Sequence, residues 1–328
     1  SERILSAGPA PRGLSRPARQ VHCTMGSARL AGWRMRDQAG DAPIVHAWSQ
    51  RALLAGRELA LATGRAMVYS VPAAPAEPAD MEDLRKAVGP GLLNVVAPTR
   101  FAVGRLVAAG LPERFCHTVA PAARPLSAAD AADARGRVRE ALGIGGGVKL
   151  LVSPDPFVRG AGHEYASWSH AILRHIPLEL RLAFPSAGPM EEHFRFFAAT
   201  TGFDEEVHFT QGRLAAAEVI AAADFAVFAQ ERDCGPMTMA SAMAAGVPVA
   251  ASGAGSLVEL ADGGRCGLLM GTGPRQTSAG LLKLVSDDSL AADLARSAAQ
   301  AAQILFTPAT VAAKLQEVYA KAMETKAI

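Results

Sequence analysis

Two carboxylates, Glu231 and Asp233, stand just before a segment whose small residues are typical of a tightly packed helix, Met237–Ala245. Gly235 and Pro236 lie where this helix is predicted to begin. The backbone N–H groups at a helix start have no acceptor inside the helix and therefore bind anions such as phosphate. The spacing indicates carboxylates beside a phosphate site.

The stretch from residue 231 to 271 resembles the donor-binding core of the group 1 nucleotide-sugar glycosyltransferases, which have the GT-B fold. The matching positions are Ala242, Met243, Ala244, Gly246, Pro248, Val249, Gly255, Glu259, Gly267, Leu268 and Leu269. The family places one acidic residue near the transferred sugar and a second on the ribose hydroxyls. The resemblance therefore implies a place by the sugar for Asp233, eight positions before Ser241, with Glu231 as the other candidate. Ser241 occupies the second acidic position, where its hydroxyl offers a weaker, neutral contact.

A cationic loop upstream extends the resemblance. The run L-V-S-P-D-P-F-V-R-G, residues 151–160, is similar to the family's strand followed by Gly-Arg, a short loop and Lys-Gly. The two family cations flank the donor diphosphate, and Arg159 occupies the Lys position. Because arginine binds phosphate through parallel hydrogen bonds, the resemblance implies a catalytic role for Arg159 as a diphosphate clamp. Pro154 replaces the other cation, and a solvated loop charge remains the alternative interpretation of Arg159.

The remaining donor-side positions follow from the same resemblance. Leu182–Pro189 and Val207–Gly212 are similar to segments that line the nucleotide pocket in the family. Ordinary strands and turns of such a fold can have the same sequence pattern, so that interpretation stays open. The residues assigned to nucleotide-sugar binding are Gly160, Gly188, Gly212, Gly235, Pro236, Met237, Thr238 and Ser241. The resemblance implies no metal and no cofactor beyond the donor itself, and the chain has no D-x-D motif.

His46 is the candidate on the acceptor side. It lies in I-V-H-A-W-S, which is similar to a Val-His-x-His strand end of the family. A lone histidine at a strand end also serves structural roles, so that interpretation stays open. Pro72 stands where the family often has a histidine that contacts the donor sugar.

Composition narrows the class of protein. The chain has 328 residues, half of them apolar, and a formal charge of +2, which is too small to indicate a nucleic-acid partner. No apolar run reaches the roughly 18 residues that span a bilayer. The four cysteines lack metal-ligand spacing, so free thiols and a cytoplasmic location are expected.

The predicted helix Glu164–His175 carries two groups of side chains with different expectations. His163, His170 and His175, on or beside it, do not share a helix face and are expected to be solvated or capping. Tyr165, Trp168 and Ile172 follow helical spacing and are expected to form a core stripe.

Strand and helix signals alternate along the chain, which predicts α/β units with parallel sheets. The predicted strands are Arg3–Ala7, Gln20–Met25, Pro43–Trp48, Ala66–Val71, Leu92–Ala97, Cys116–Ala120, Val148–Val152, Leu178–Phe184, Val207–Thr210, Asp224–Ala229, Pro248–Ala251 and Gly267–Met270. The predicted helices are Gln50–Ala62, Met81–Val88, Phe101–Ala109, one from Ser127 through Leu142, Glu164–His175, Met190–Thr201, Leu214–Ala222, Met237–Ala245, Ser256–Asp262, Thr277–Val285, Leu290–Ala302 and Ala309–Met323.

These signals, with the resemblance, predict a GT-B-like α/β protein of two doubly wound Rossmann-like domains facing a cleft. The domains are residues 1–124, on the acceptor side, and 125–306, which binds the nucleotide sugar; residues 307–328 return to the first domain. The predicted function is transfer of a sugar from a nucleotide-sugar donor to an unidentified acceptor, retaining and without a metal. The alternatives are a non-catalytic nucleotide-binding or partner protein and a sugar-nucleotide epimerase. Peripheral membrane association and oligomeric state are left open.

Overall fold

A computed structural model describes residues 35–36, 40–73, 84, 93–124 and 127–326. The chain divides into two compact units. One comprises the described part of residues 1–119 together with 312–328, and the other comprises residues 120–311. Each unit contains a parallel sheet.

The first unit is built on a four-stranded sheet in the order β1-β2-β3-β4. Its elements are β1 (Ile44–Ala47), α1 (Gln50–Thr63), β2 (Ala66–Ser70), β3 (Leu93–Ala97), α2 (Arg100–Ala108) and β4 (Cys116–Thr118). Ser49 and Thr99 begin the two helices, because each side chain accepts a hydrogen bond from a first-turn N–H. The apolar core includes Met67, Val95 and Leu106, all fully buried.

The second unit has a six-stranded sheet in the order β10-β9-β8-β5-β6-β7. The strands are β5 (Lys149–Val152), β6 (Leu180–Phe184), β7 (Val207–Phe209), β8 (Phe225–Phe228), β9 (Val249–Ser252) and β10 (Leu268–Met270). The strand order reverses at β5, which pairs with β6 on one side and with β8 on the other. In an open parallel sheet, ligands bind outside the carboxyl ends of the strands at such a reversal.

Helices cover both faces of this sheet. They are α3 (Ala128–Ala141), α4 (His163–Leu173), α5 (Glu191–Thr201), α6 (Ala216–Ala222), α7 (Met237–Ala244), α8 (Gly255–Leu260), α9 (Pro274–Ser286) and α10 (Asp288–Leu305). One core cluster joins α6 and α7 to the sheet, with Met239 and Met243 fully buried. A second cluster, with Phe157, Phe184 and Phe194, lies under α4, α5 and α9.

The last helix, α11 (Pro308–Lys326), belongs to both units, since the division falls between Val311 and Ala312. Thr307 caps its first turn by accepting from the Thr310 N–H at 3.2 Å, as predicted. Further along, the Tyr319 hydroxyl lies 2.6 Å from His46 Nδ1. None of the described helices is both long and apolar enough to cross a membrane.

The predicted strands and helices are confirmed wherever the structure describes them, with ends that shift by a few residues. The predicted strands Arg3–Ala7 and Gln20–Met25 lie outside the described residues, as does helix Met81–Val88 apart from Leu84.

Two expectations about side chains on α4 are wrong. Trp168 and Ile172 are 45% and 46% exposed, so they do not form a core stripe. His163 and His170 are instead buried and hydrogen-bonded, rather than solvated. The reason is that α4 buries a face of small residues: Ser169 contacts Ser278 of α9, with 3.2 Å between the two hydroxyl oxygens.

Candidate functional site

The loops that follow β5 and β8 meet at the carboxyl ends of these neighbouring strands. The Glu231 N–H donates to the Gly160 carbonyl at 2.8 Å, which ties residues 153–160 to residues 229–236. This contact brings together three of the residues predicted from the sequence, Arg159, Gly160 and Glu231. Gly160 has a φ of +85°, a conformation that favours glycine.

The Arg159 guanidinium is exposed at this junction. Among the described residues, it has no hydrogen-bond or ion-pair partner. Its charge is therefore available to an anionic ligand.

The two candidate carboxylates differ in their surroundings. Asp233 accepts hydrogen bonds from the Gly235 N–H at 3.0 Å and from the Ser256 hydroxyl of α8, so it shapes the loop. Glu231 is exposed and accepts from the Tyr165 hydroxyl of α4. That hydrogen bond, with smaller contributions from desolvation and from the charge of Glu231, raises the pKa of Tyr165 to about 12. Glu231 is thus the more accessible of the two carboxylates.

The start of α7 carries the features that the sequence predicts for an anion site. Gly235 and Pro236 are buried, and Pro236, the N-cap residue, makes no side-chain capping hydrogen bond to the first turn. Met237 is 46% exposed and Thr238 is half-buried beside it. One turn later, the Ser241 hydroxyl donates to the Met237 carbonyl at 3.1 Å, so its proton is already engaged inside the helix.

Sequence reasoning missed a buried polar cluster beneath this loop. Asp155 is 3% exposed and accepts from Gln230 Nε2 at 2.8 Å and from the Thr238 hydroxyl. Burial raises the pKa of Asp155 to about 6, the two hydrogen bonds oppose the increase, and the charge of Asp233 adds to it. A carboxylate three residues after a buried strand was the available signal, since such strand ends form the ligand-binding edge of the sheet.

Backbone geometry explains why glycine occupies the two predicted positions after β6 and β7. A Cβ at Gly188 would lie 2.4 Å from the Phe157 carbonyl oxygen, so only glycine fits this approach. Gly212 has a φ of +75° with open space around it. Nearby, Thr210 is 1% exposed, and its hydroxyl has no hydrogen-bond partner in the described part of the chain.

His46 lies in the first unit and has both ring nitrogens engaged. Nδ1 faces the Tyr319 hydroxyl at 2.6 Å, and Nε2 lies 2.9 Å from the Ser70 hydroxyl. Burial lowers the pKa of His46 to about 4, so the ring is neutral at pH 7. Trp48 stacks on it with ring centroids 4.0 Å apart and is itself 63% exposed. These contacts give His46 a structural role, because they connect α11 to the sheet of the first unit.

The two prolines at family positions lie in different settings. Pro154 is buried after β5, and its carbonyl accepts from the Ser186 hydroxyl at 2.6 Å. Pro72 is exposed just after β2. Neither offers the side-chain contact that the family makes from these positions.

Comparison with known proteins locates the resemblance in the second unit. Residues 163–287 match the family model described as glycosyl transferases group 1. A search of curated proteins gave no match.

Solved structures of GT-B glycosyltransferases share the fold over most of the chain. Anabaena HepE in complex with UDP and glucose aligns with a TM-score of 0.77 at 17% identity, covering 91% of this chain and 84% of that one. Sucrose-phosphate synthase from Thermosynechococcus elongatus gives 0.74 at 15% identity, with 90% and 78% covered. A glycosyltransferase from Rickettsia africae gives 0.71 at 14% identity, with 91% and 81% covered.

These matches confirm the predicted fold and the resemblance, and they support a transferase. The chain has the GT-B fold, and its residues 163–287 match the family model of the group 1 glycosyl transferases.

Proposed function

We propose that this protein transfers a sugar from a uridine diphosphate sugar to an acceptor, with retention of configuration and without a metal ion. The observation that carries the proposal is the junction of the Arg159 loop, the Glu231 loop and the start of α7. All three lie in the second unit, at the ligand-binding edge of its sheet. HepE, which shares the fold, has been solved with UDP and with UDP-glucose.

In this proposal, Arg159 and the α7 N–H groups bind the donor diphosphate. As the sugar–phosphate bond breaks, negative charge grows on the leaving diphosphate, and fixed donors stabilise it most in the transition state. Glu231 or Asp233 contacts the sugar, and Ser241 contacts the ribose. The neutral Ser241 gives the ribose contact less strength than a carboxylate would.

A donor panel tests the proposal. UDP, UDP-glucose, GDP-mannose and ADP-glucose are added to the protein, each with EDTA and separately with Mg²⁺, while melting temperature and release of free sugar are followed. We expect stabilisation by the uridine nucleotides with or without metal, and slow release of sugar to water. No stabilisation by any nucleotide would contradict the donor site.

A second candidate is a nucleotide-binding protein that has lost catalysis. It is favoured by the engaged hydroxyl of Ser241 and by the buried Pro154, which stands where the family has a cation. Stabilisation by UDP-glucose without sugar release to water or to any of a panel of glycoside acceptors would favour this candidate.

A further inference from the structure

We propose that Asp155 is a positioning residue of the donor site. Its carboxylate joins the start of α7 to the loop after β8 and holds both in the arrangement that receives the donor diphosphate. The inference rests on the proposed function, because it concerns the same site.

The geometry gives each polar atom of this cluster a defined partner. Gln230 Nε2 donates to Asp155 at 2.8 Å and approaches the Gly235 carbonyl at 3.2 Å. Gln230 Oε1 accepts from the Cys234 N–H at 3.0 Å. The carbonyl of Gln230 accepts from the Ser252 hydroxyl of β9 at 2.6 Å. The loop from residue 230 to 235 is therefore fixed through Gln230, and the orientation of Gln230 is fixed by Asp155.

The second carboxylate oxygen of Asp155 accepts from the Thr238 hydroxyl, on the first turn of α7. Both oxygens thus receive hydrogen bonds from donors, which an ionised carboxylate does and an amide cannot. An asparagine here would place an NH₂ group against either Gln230 or Thr238. Turning the Gln230 amide to suit it would break the contacts with Cys234 and Gly235.

The test measures the affinity for UDP-glucose by calorimetric titration at pH 7.5. We expect binding by the wild type. Asp155→Asn should bind roughly tenfold more weakly or worse, because an amide cannot accept from both Gln230 and Thr238.

Asp224→Asn is the matched control, because Asp224 is also a mostly buried carboxylate of this unit. It pairs with Arg135 at 2.6 Å and accepts from the Leu150 N–H at 2.8 Å, two residues before β5 ends. This variant should melt at a lower temperature yet keep the affinity for UDP-glucose. Thr238→Val removes a single hydrogen bond from Asp155 and serves if Asp155→Asn does not fold; it should weaken binding, and Thr238→Ser should restore it.

The outcomes separate the two proposals. Wild-type protein that does not bind UDP-glucose would overturn the proposed function, and this inference with it. If the wild type binds UDP-glucose and Asp155→Asn or Thr238→Val binds it with the same affinity, the positioning role alone is overturned.

Discussion

Arg159 illustrates how a single side chain can be prepared for a ligand. It is exposed on the loop after β5, and none of the described residues neutralises it, while the adjacent Gly160 carbonyl anchors that loop to Glu231. A cation on an anchored loop loses little freedom when a phosphate arrives, which favours binding.

Replacing this side chain gives a sharp prediction for the diphosphate. Arg159→Ala should weaken UDP binding by about 10- to 100-fold, because a hydrogen bond to a charged group contributes about 1.5–3 kcal/mol. Uridine, which has no phosphate, should bind the variant and the wild type equally. Isothermal titration with both ligands measures the effect.

Arg296→Ala is the control for this prediction. Arg296 is an exposed arginine on α10, paired with Asp293 at 2.8 Å. Its loss should leave UDP binding unchanged. Equal UDP affinity in Arg159→Ala and the wild type would remove Arg159 from the site and leave it as a solvated loop charge.

Among the elements, α4 depends on one glycine at its start. Gly162 has a φ of +80°, and a Cβ there would lie 2.0 Å from the Ala229 carbonyl oxygen, at the end of β8. The close approach seats α4, with Tyr165 and His163, against the Glu231 loop. Glycine is required here by both conformation and space.

Gly162→Ala should therefore destabilise the second unit by about 3 kcal/mol or more, through strain and displaced backbone together. Gly202→Ala is the matched control: Gly202 also has a positive φ, +70°, but open space around its Cβ position. That variant should lose only about 1–2 kcal/mol, the strain of the left-handed conformation. Urea unfolding of both variants makes the comparison, and equal losses would show that the approach to Ala229 costs nothing.

The elements themselves were largely predictable from the sequence, whereas the faces of the helices and the buried cluster were not. Parallel strands buried on both sides appear as short apolar runs, which is why β5, β6 and β8 were found. The stripe of Tyr165, Trp168 and Ile172 on α4 was wrongly predicted to lie in the core. The buried face of this helix is formed instead by the small residues that contact α9.

Asp155 was missed for a related reason. Its partners, Gln230 and Thr238, are 75 and 83 residues away along the chain. No local sequence pattern predicts a contact between residues so far apart in the chain. Arg159 and Glu231 were predicted because the sequence resemblance to the family extends to their loops.

For the molecule as a whole, buried imidazoles set the response to acid. Burial is the main cause of a lowered pKa at five of the described histidines: His46, His117, His163, His170 and His208. For His163 the pKa is about 4 against an ordinary 6.5, on the order of 3 kcal/mol. As pH falls, these histidines bind protons in the unfolded chain before they do so in the folded one. Their contribution to stability is therefore fully present above about pH 6.5 and is lost as pH falls towards 4.

Melting temperature should therefore decrease between pH 7 and pH 5. Asp155 acts in the opposite direction, since its raised pKa of about 6 favours the folded state at low pH, but it is one group against five. His163→Gln should make the decrease shallower, whereas the exposed His175→Gln should leave it unchanged. A melting temperature that is constant or rises on acidification would contradict the prediction.

The route of the chain has a practical consequence for separating the two units. Because the chain leaves the first unit after Val119 and re-enters it at Ala312, one cut cannot release that unit whole. A fragment that stops at residue 119 lacks Tyr319, and with it the hydroxyl that faces His46. The second unit, by contrast, is one uninterrupted segment, residues 120–311, and it holds every donor-site candidate named above. The proposed donor binding can therefore be tested on a single continuous fragment, whereas the first unit has to be rebuilt by joining its two segments with a linker.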